Sequence, residues 1–117
     1  MFDPTLSNEQ KAYYHYLRGY LYNIFDYYHY LAEKNLSMAV KLNPTLFEAW
    51  SELAECYLKK YLLKKKSSYN SIANHQNNIN LYSRNLELTL AKHCLERALK
   101  IVIFFFFFFF QLYIYIY

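Results

Sequence analysis

Histidine and cysteine are the residues of this chain whose types could support nucleophilic or metal chemistry. His93 directly precedes Cys94, and His29 follows Asp26 by three positions. Adjacent residues on a helix point in different directions, so His93 and Cys94 do not form a nucleophile–base pair. Cys56 and Cys94 also lack the CxxC spacing of a zinc or redox site. The sequence therefore predicts no catalytic, cofactor-binding or metal-binding residues and a protein that is not an enzyme.

Charge and composition limit the domain size, the kind of ligand and the cellular compartment that we expect. The 117 residues carry a net charge of +4 and include 15 Tyr and 10 Phe but only one Gly. This length suits one small domain or a piece of a larger one. Lys64–Lys66 is a basic triplet in a polar stretch, and no segment interleaves Arg with aromatic residues along one face, so we expect no direct nucleic-acid binding. No secretory signal precedes the first helix, and two isolated cysteines suit a reducing, cytoplasmic compartment.

Helical signals organise the first half of the chain. Ser7–Gln10 has the form of a capping box and predicts a helix over about 8–24. After a turn near Asp26, a second helix over about 27–42 is ended by Asn43–Pro44, since proline cannot donate a helical hydrogen bond.

A second capping box, Thr45–Glu48, predicts a third helix to about residue 60. From 61 to 84, Asn and Ser dilute the apolar residues, which predicts a loop or disordered insertion. Helical periodicity resumes over 85–101, and an aromatic apolar tail occupies 102–117. The predicted class is all-α.

Two segments, 32–42 and 91–101, share one pattern of small and large residues. The offset between them is 59 positions, whereas 35 positions separate Gly19 from Ala54. The difference of 24 matches the length of the polar stretch. Removing that stretch restores a period near the ~34 residues of a helix-turn-helix repeat.

These residues resemble the tetratricopeptide repeat (TPR), whose pattern is W-x2-L-G-x2-Y, then A-x3-F, then P. The resemblance implies a solenoid fragment of about two repeats, with the first unit and the first helix of the second in 8–60. The second helix of that unit lies in 85–101. The expected repeat core is Gly19, Tyr22, Ala32, Leu36, Ala39, Pro44, Trp50, Leu53, Ala54, Tyr57, Ala91, Leu95 and Ala98.

The resemblance also implies a function. Residues 36–50 are most similar to the N-terminal repeats of family members that are cytoplasmic and nuclear scaffolds. Those members act as stress-responsive transcription cofactors and in tubulin autoregulation. The chain is thus expected to be a truncated protein–protein interaction scaffold. Because at least three repeats are normally needed for a stable stack, we also expect self-association.

In this family the first helix of each pair lines a concave groove. Four residues on the non-core face of the third predicted helix would form an acidic stripe there: Glu48, Ser51, Glu52 and Glu55. TPR domains that clamp acidic peptide tails use Lys, Arg and Asn at such places. The expected ligand is therefore a cationic or neutral protein or peptide, and the alternative is an ordinary solvated helix face.

The tail from Ile101 onward is apolar except for Gln111 and contains seven consecutive Phe. Three interpretations remain open. The first is a C-terminal membrane anchor of a tail-anchored adaptor, although 17 residues are at the short end of the ~17–25 that a span needs. The second is an exposed aggregation-prone strand. The third is translated intron-like sequence, since thymine-rich tracts encode Phe and alternating AT tracts encode Tyr-Ile.

Overall fold

The chain is all-α and consists of two stacked helix pairs. The computed structural model describes residues 4–70 and 77–117, with side chains described for 4–67 and 86–117. Its helices are α1 (Asn8–Asn23), α2 (Tyr30–Leu42), α3 (Phe47–Asn70) and α4 (Asn77–Ile116). α1 packs on α2 and α3 packs on α4, while α2 and α3 join the pairs and α1 also contacts α3. The predicted fold class is confirmed in the described ranges.

The ends of α1 and α2 follow their local signals. Ser7 Oγ accepts from the Gln10 N–H at 3.2 Å, and the Gln10 side chain accepts from the Ser7 N–H at 2.8 Å, which completes the predicted capping box. α2 begins three residues later than predicted, because His29 caps it and accepts from the Leu31 N–H through Nδ1 at 3.1 Å. It ends at Leu42, directly before Asn43–Pro44.

The second expected capping box does not form. α3 begins at Phe47, so Leu46 precedes the helix where Thr45 was expected to cap it. The Thr45 hydroxyl instead donates to Asn43 Oδ1 at 2.7 Å, and the Thr45 N–H donates to the same oxygen at 3.2 Å. The side chain of Asn43 therefore organises the turn between α2 and α3.

The prediction of a loop or disordered segment over 61–84 is wrong for 61–70 and 77–84, which are helical. α3 continues to Asn70 and α4 begins at Asn77, so neither 60 nor 85 marks an element boundary; residues 71–76 lie outside the described part of the chain. Tertiary pairing overrides the weak local pattern, because Lys60 and Lys64 of α3 reach Glu87 of α4 at 3.9 and 2.6 Å.

The core is built mainly from small side chains, which let the helices approach closely. Gly19, Ala32, Ala39, Ala54, Ala91 and Ala98 are buried together with Leu36 and Leu53. Tyr22, Trp50 and Tyr57 pack against the core cluster and remain partly exposed.

Two expected core residues are exposed. Leu95 is 50% exposed, because the buried side of α4 carries Ala91, Cys94 and Ala98, and no other helix among the described residues covers its flank. Pro44 is exposed in the turn between α2 and α3, where it ends a helix rather than filling space.

The aromatic tail is helical, so the strand interpretation is wrong. α4 continues to Ile116, and Phe104–Phe110 are each 45–74% exposed. Within the described residues, Leu86–Ile116 is the one helix segment long and apolar enough to cross a membrane. Its most apolar 18 residues have a mean hydropathy of 2.2, and none of them is buried.

Candidate interaction surface

Three tyrosines form a row along α1. Tyr13, Tyr16 and Tyr20 follow one another at helical spacings of three and four residues, and the ring centroids of successive members lie 5.8 and 6.1 Å apart. Tyr13 and Tyr20 are exposed, while Tyr16 is half-buried. We call these residues the tyrosine row. Sequence reasoning missed the row, although its spacing was visible.

The acidic residues of α3 lie beside this row. The pKa of Tyr16 is raised above its ordinary value. Burial is the largest cause, and the negative charges of Glu52 and Glu48 are the next two. Both carboxylates therefore disfavour ionisation of the Tyr16 hydroxyl. Ser51 of the same helix is exposed. We call the tyrosine row together with Glu48, Ser51 and Glu52 the aromatic–acidic surface.

Glu52 also has a structural role. Its carboxylate accepts from Asn23 Nδ2 at 2.8 Å, and its backbone oxygen accepts from the same nitrogen at 3.1 Å. Asn23 is 4% exposed and ends α1. Glu52 therefore fixes the end of α1 against α3, while its charge remains on the surface because an amide does not neutralise it.

Glu55 takes part in a neighbouring group of contacts centred on Lys59. It pairs with Lys59 at 3.3 Å, and the Lys59 ammonium also donates to the backbone oxygens of Asn23 and Phe25 at 2.5 and 2.8 Å. A cation at the C-terminal end of a helix satisfies carbonyls that have no partner within the helix. Of the four predicted groove residues, Glu55 is thus offset by a cation. Glu48 has no ion-pair partner among the described side chains.

Both cysteines and the histidines of the described residues, His15, His29 and His93, occupy structural positions, and His75 lies outside the described residues. His15 Nδ1 lies 3.1 Å from Asn35 Oδ1 between α1 and α2, and the ring of His93 meets that of Trp50 edge-on. Burial raises the pKa of the Cys56 thiol to about 12 and that of Cys94 to about 11. Both thiols therefore stay protonated near neutral pH. Within the described side chains, no group of three His, Cys, Asp or Glu is placed to hold a metal ion.

A charged network joins α2, α3 and α4. Lys60 contacts Glu33 at 3.0 Å and Glu87 at 3.9 Å, while Lys64 contacts Glu87 at 2.6 Å. The hydroxyl of Tyr28 donates to Glu33. The Glu87 side chain is only 4% exposed, so the network lies inside the helix packing rather than on the aromatic–acidic surface.

No family model, no curated protein and no solved structure matches the chain.

Proposed function

We propose that the chain is a protein-interaction module of the TPR type, and that its aromatic–acidic surface binds a cationic segment of a partner protein. The observation that carries the proposal is the packing of α3 on α1, in which Glu52 bonds Asn23 of α1 and the charges of Glu52 and Glu48 act on Tyr16. Helix pairing through buried small residues supports the repeat assignment, which rests on the pattern of this chain itself.

The chemistry of the surface favours Lys or Arg side chains. A cation over a tyrosine face gains roughly 0.5–1 kcal/mol at an exposed site. A carboxylate of α3 adds an ion pair with the same cation, worth up to about 1 kcal/mol at the surface. Tyr13 and Tyr20 offer exposed rings on either side of Tyr16, so several cations spaced along an extended peptide could be bound together.

A more specific cellular role is proposed only from the resemblance of residues 36–50 to the N-terminal repeats of certain TPR scaffolds. By that resemblance, the scaffold serves as a stress-responsive transcription cofactor or a tubulin-autoregulation factor in the cytoplasm and nucleus. Capture of ribosome-bound nascent tubulin, compared with capture of a transcription complex from nuclear extract, separates the two roles.

The binding proposal is tested by fluorescence anisotropy on the full chain in detergent micelles, using basic, neutral and acidic peptides of equal length. The basic peptide should bind best and should weaken as salt rises. Glu48→Gln should weaken its binding by about fivefold, the equivalent of one surface ion pair. Glu96→Gln removes the same charge from an exposed residue of α4 and should change binding less than about twofold.

Two results would contradict the proposal. One is equal binding of acidic and basic peptides. The other is an equal loss in Glu48→Gln and Glu96→Gln, because the effect would then reflect net charge rather than this surface.

A further inference from the structure

The C-terminal half of α4, Ile101–Ile116, is apolar around its whole circumference. We call it the tail helix. Every residue after Ile101 is exposed, from Leu112 at 40% to Tyr115 at 90%. A helix that is apolar on all sides is stable either inside a large protein core or inside a membrane. Within the described residues, none of the helix pairs covers it.

The apolar residues lie on every side of the tail helix, and this distribution distinguishes a protein groove from a lipid bilayer as its surroundings. A groove on a partner protein, or a second copy, would cover one side and favour polar residues on the other. Here Phe104–Phe110 leave no polar side, and Gln111 is the one amide in the segment. Hydrocarbon surrounds a helix on all sides, and an α-helix satisfies its own backbone hydrogen bonds there.

The two ends of the tail helix match the two interfaces of a bilayer. Arg97 and Lys100 precede it, and Tyr113, Tyr115 and Tyr117 lie at its far end. Lysine and arginine are common beside a span on its cytoplasmic side, and tyrosine is enriched at both interfaces. The tail helix is roughly 24 Å long at ~1.5 Å per residue, against a hydrocarbon core of about 30 Å. Snorkelling of Lys100 and local thinning of the bilayer can close that difference.

A cavity at the base of the tail helix fits the headgroup region. It has a volume of about 330 Å³, and Arg97 and Lys100 line it together with Pro44, Phe104 and Phe105. Cationic and aromatic side chains thus line the same cavity, a combination that suits the headgroup and upper acyl chain of an acidic phospholipid. The guanidinium of Arg97 lies 5.7 Å from the Trp50 ring centroid, which ties this end of α4 to α3.

From these features we propose that the tail helix spans an anionic phospholipid bilayer. Arg97 and Lys100 contact lipid phosphates at the near surface, and the two helix pairs remain in water on that side. This inference is independent of the peptide-binding proposal, because it uses neither the tyrosine row nor Glu48.

The test is synthesis of the full chain in the presence of phosphatidylcholine vesicles, with or without a quarter of phosphatidylserine, followed by flotation on a sucrose gradient. Membrane-bound chain floats, whereas aggregated chain sediments. Phe108→Lys should reduce partitioning by about 50-fold or more, from the cost of a lysine at the centre of a span. Leu62→Lys adds the same charge at an exposed leucine of α3 and should float like the original chain.

A second pair of variants tests the contact with lipid phosphate. Lys100→Gln should weaken partitioning into the phosphatidylserine vesicles by about fivefold, and should have less effect on phosphatidylcholine alone. Lys92→Gln removes an exposed lysine two turns away and should change partitioning less than twofold.

Depth distinguishes a span from a helix lying on the surface. The added tryptophan of Phe108→Trp should be quenched most strongly by lipids brominated deep in the acyl chain. The proposal is overturned if the original chain sediments in the presence of vesicles, if Phe108→Lys and Leu62→Lys float equally, or if quenching is strongest near the headgroups.

Discussion

Gly19 of α1 leaves no space for even a methyl group beside Leu36 of α2. A Cβ atom at Gly19 would lie 2.5 Å from Leu36 Cγ and 3.2 Å from the Leu36 backbone nitrogen. Leu36 is completely buried, so its side chain cannot move into solvent. Glycine is required here by the close approach of two helices and not by an unusual backbone conformation, since it lies within α1.

Gly19→Ala is therefore expected to destabilise the protein. Alanine gains about 1 kcal/mol in helix propensity, but overpacking against a fixed core typically costs about 1–3 kcal/mol. We expect a net loss of about 1 kcal/mol in the free energy of unfolding, measured by urea denaturation in detergent. In a Leu36→Ala background the same change should become neutral or stabilising, because the contact has been removed. Stabilisation in both backgrounds would show that the helices can separate without cost.

Features that depend on contacts between residues close together in the sequence were predicted correctly. Ser7 and Gln10 cap α1 through contacts three residues apart, and Asn43–Pro44 ends α2 through backbone chemistry. Such local signals can be detected directly in the sequence. The buried alanine stripes could also be predicted, because helical spacing places Ala32 and Ala39 on one face.

The errors concern properties decided by other helices. The extension of α3 depends on pairing of Lys60 and Lys64 with Glu87, a residue far along the chain. Exposure of Leu95 depends on whether another helix covers α4. For the candidate surface, the acidic residues were found as a stripe on one helix. Their proximity to Tyr16 arises only when α1 and α3 pack together.

The register of α4 can be tested with two substitutions on one helix. Ala91 is 2% exposed, so Ala91→Leu should overpack the core and cost about 1–3 kcal/mol. Leu95 is 50% exposed, so Leu95→Ala should cost less than about 1 kcal/mol. Urea denaturation of both variants gives the comparison. If Leu95→Ala were the more costly change, the buried face of α4 would have to be rotated toward the one expected from the repeat pattern.

The pairing of Lys64 with Glu87 should be asymmetric in energy. The Glu87 side chain is 4% exposed, whereas that of Lys64 is 37% exposed. Lys64→Met leaves a buried carboxylate with only the more distant Lys60, and should cost about 2 kcal/mol.

Glu87→Met has a smaller expected effect, below about 1 kcal/mol, because the Lys64 ammonium can turn toward water. Thermal and urea unfolding of the two single variants and the double variant provide the measurement. Equal losses in both single variants would indicate that the carboxylate is better hydrated than its burial suggests.

The buried thiols predict a loss of stability at alkaline pH. Burial raises the pKa of Cys56 from an ordinary value of 9.0 to about 12 and that of Cys94 from 9.0 to about 11. Burial also raises the pKa of Tyr57 from 10.0 to about 12. Below pH 9 both the folded and the unfolded chain hold these protons. Above pH 9 the unfolded chain releases them first, so it binds fewer protons and the free energy of unfolding falls as pH rises.

The decline should begin near pH 9 and continue through about pH 12, where the folded thiols and Tyr57 themselves ionise. The measurement is urea denaturation at closely spaced pH values from 8 upward. Cys56→Ala combined with Cys94→Ala removes the two groups that titrate first, so this variant should hold a flatter profile between pH 9 and 10 even if its stability at pH 8 is lower. A variant profile as steep as that of the original chain in this interval would mean that the thiols reach water in the folded state, contrary to their position in the core.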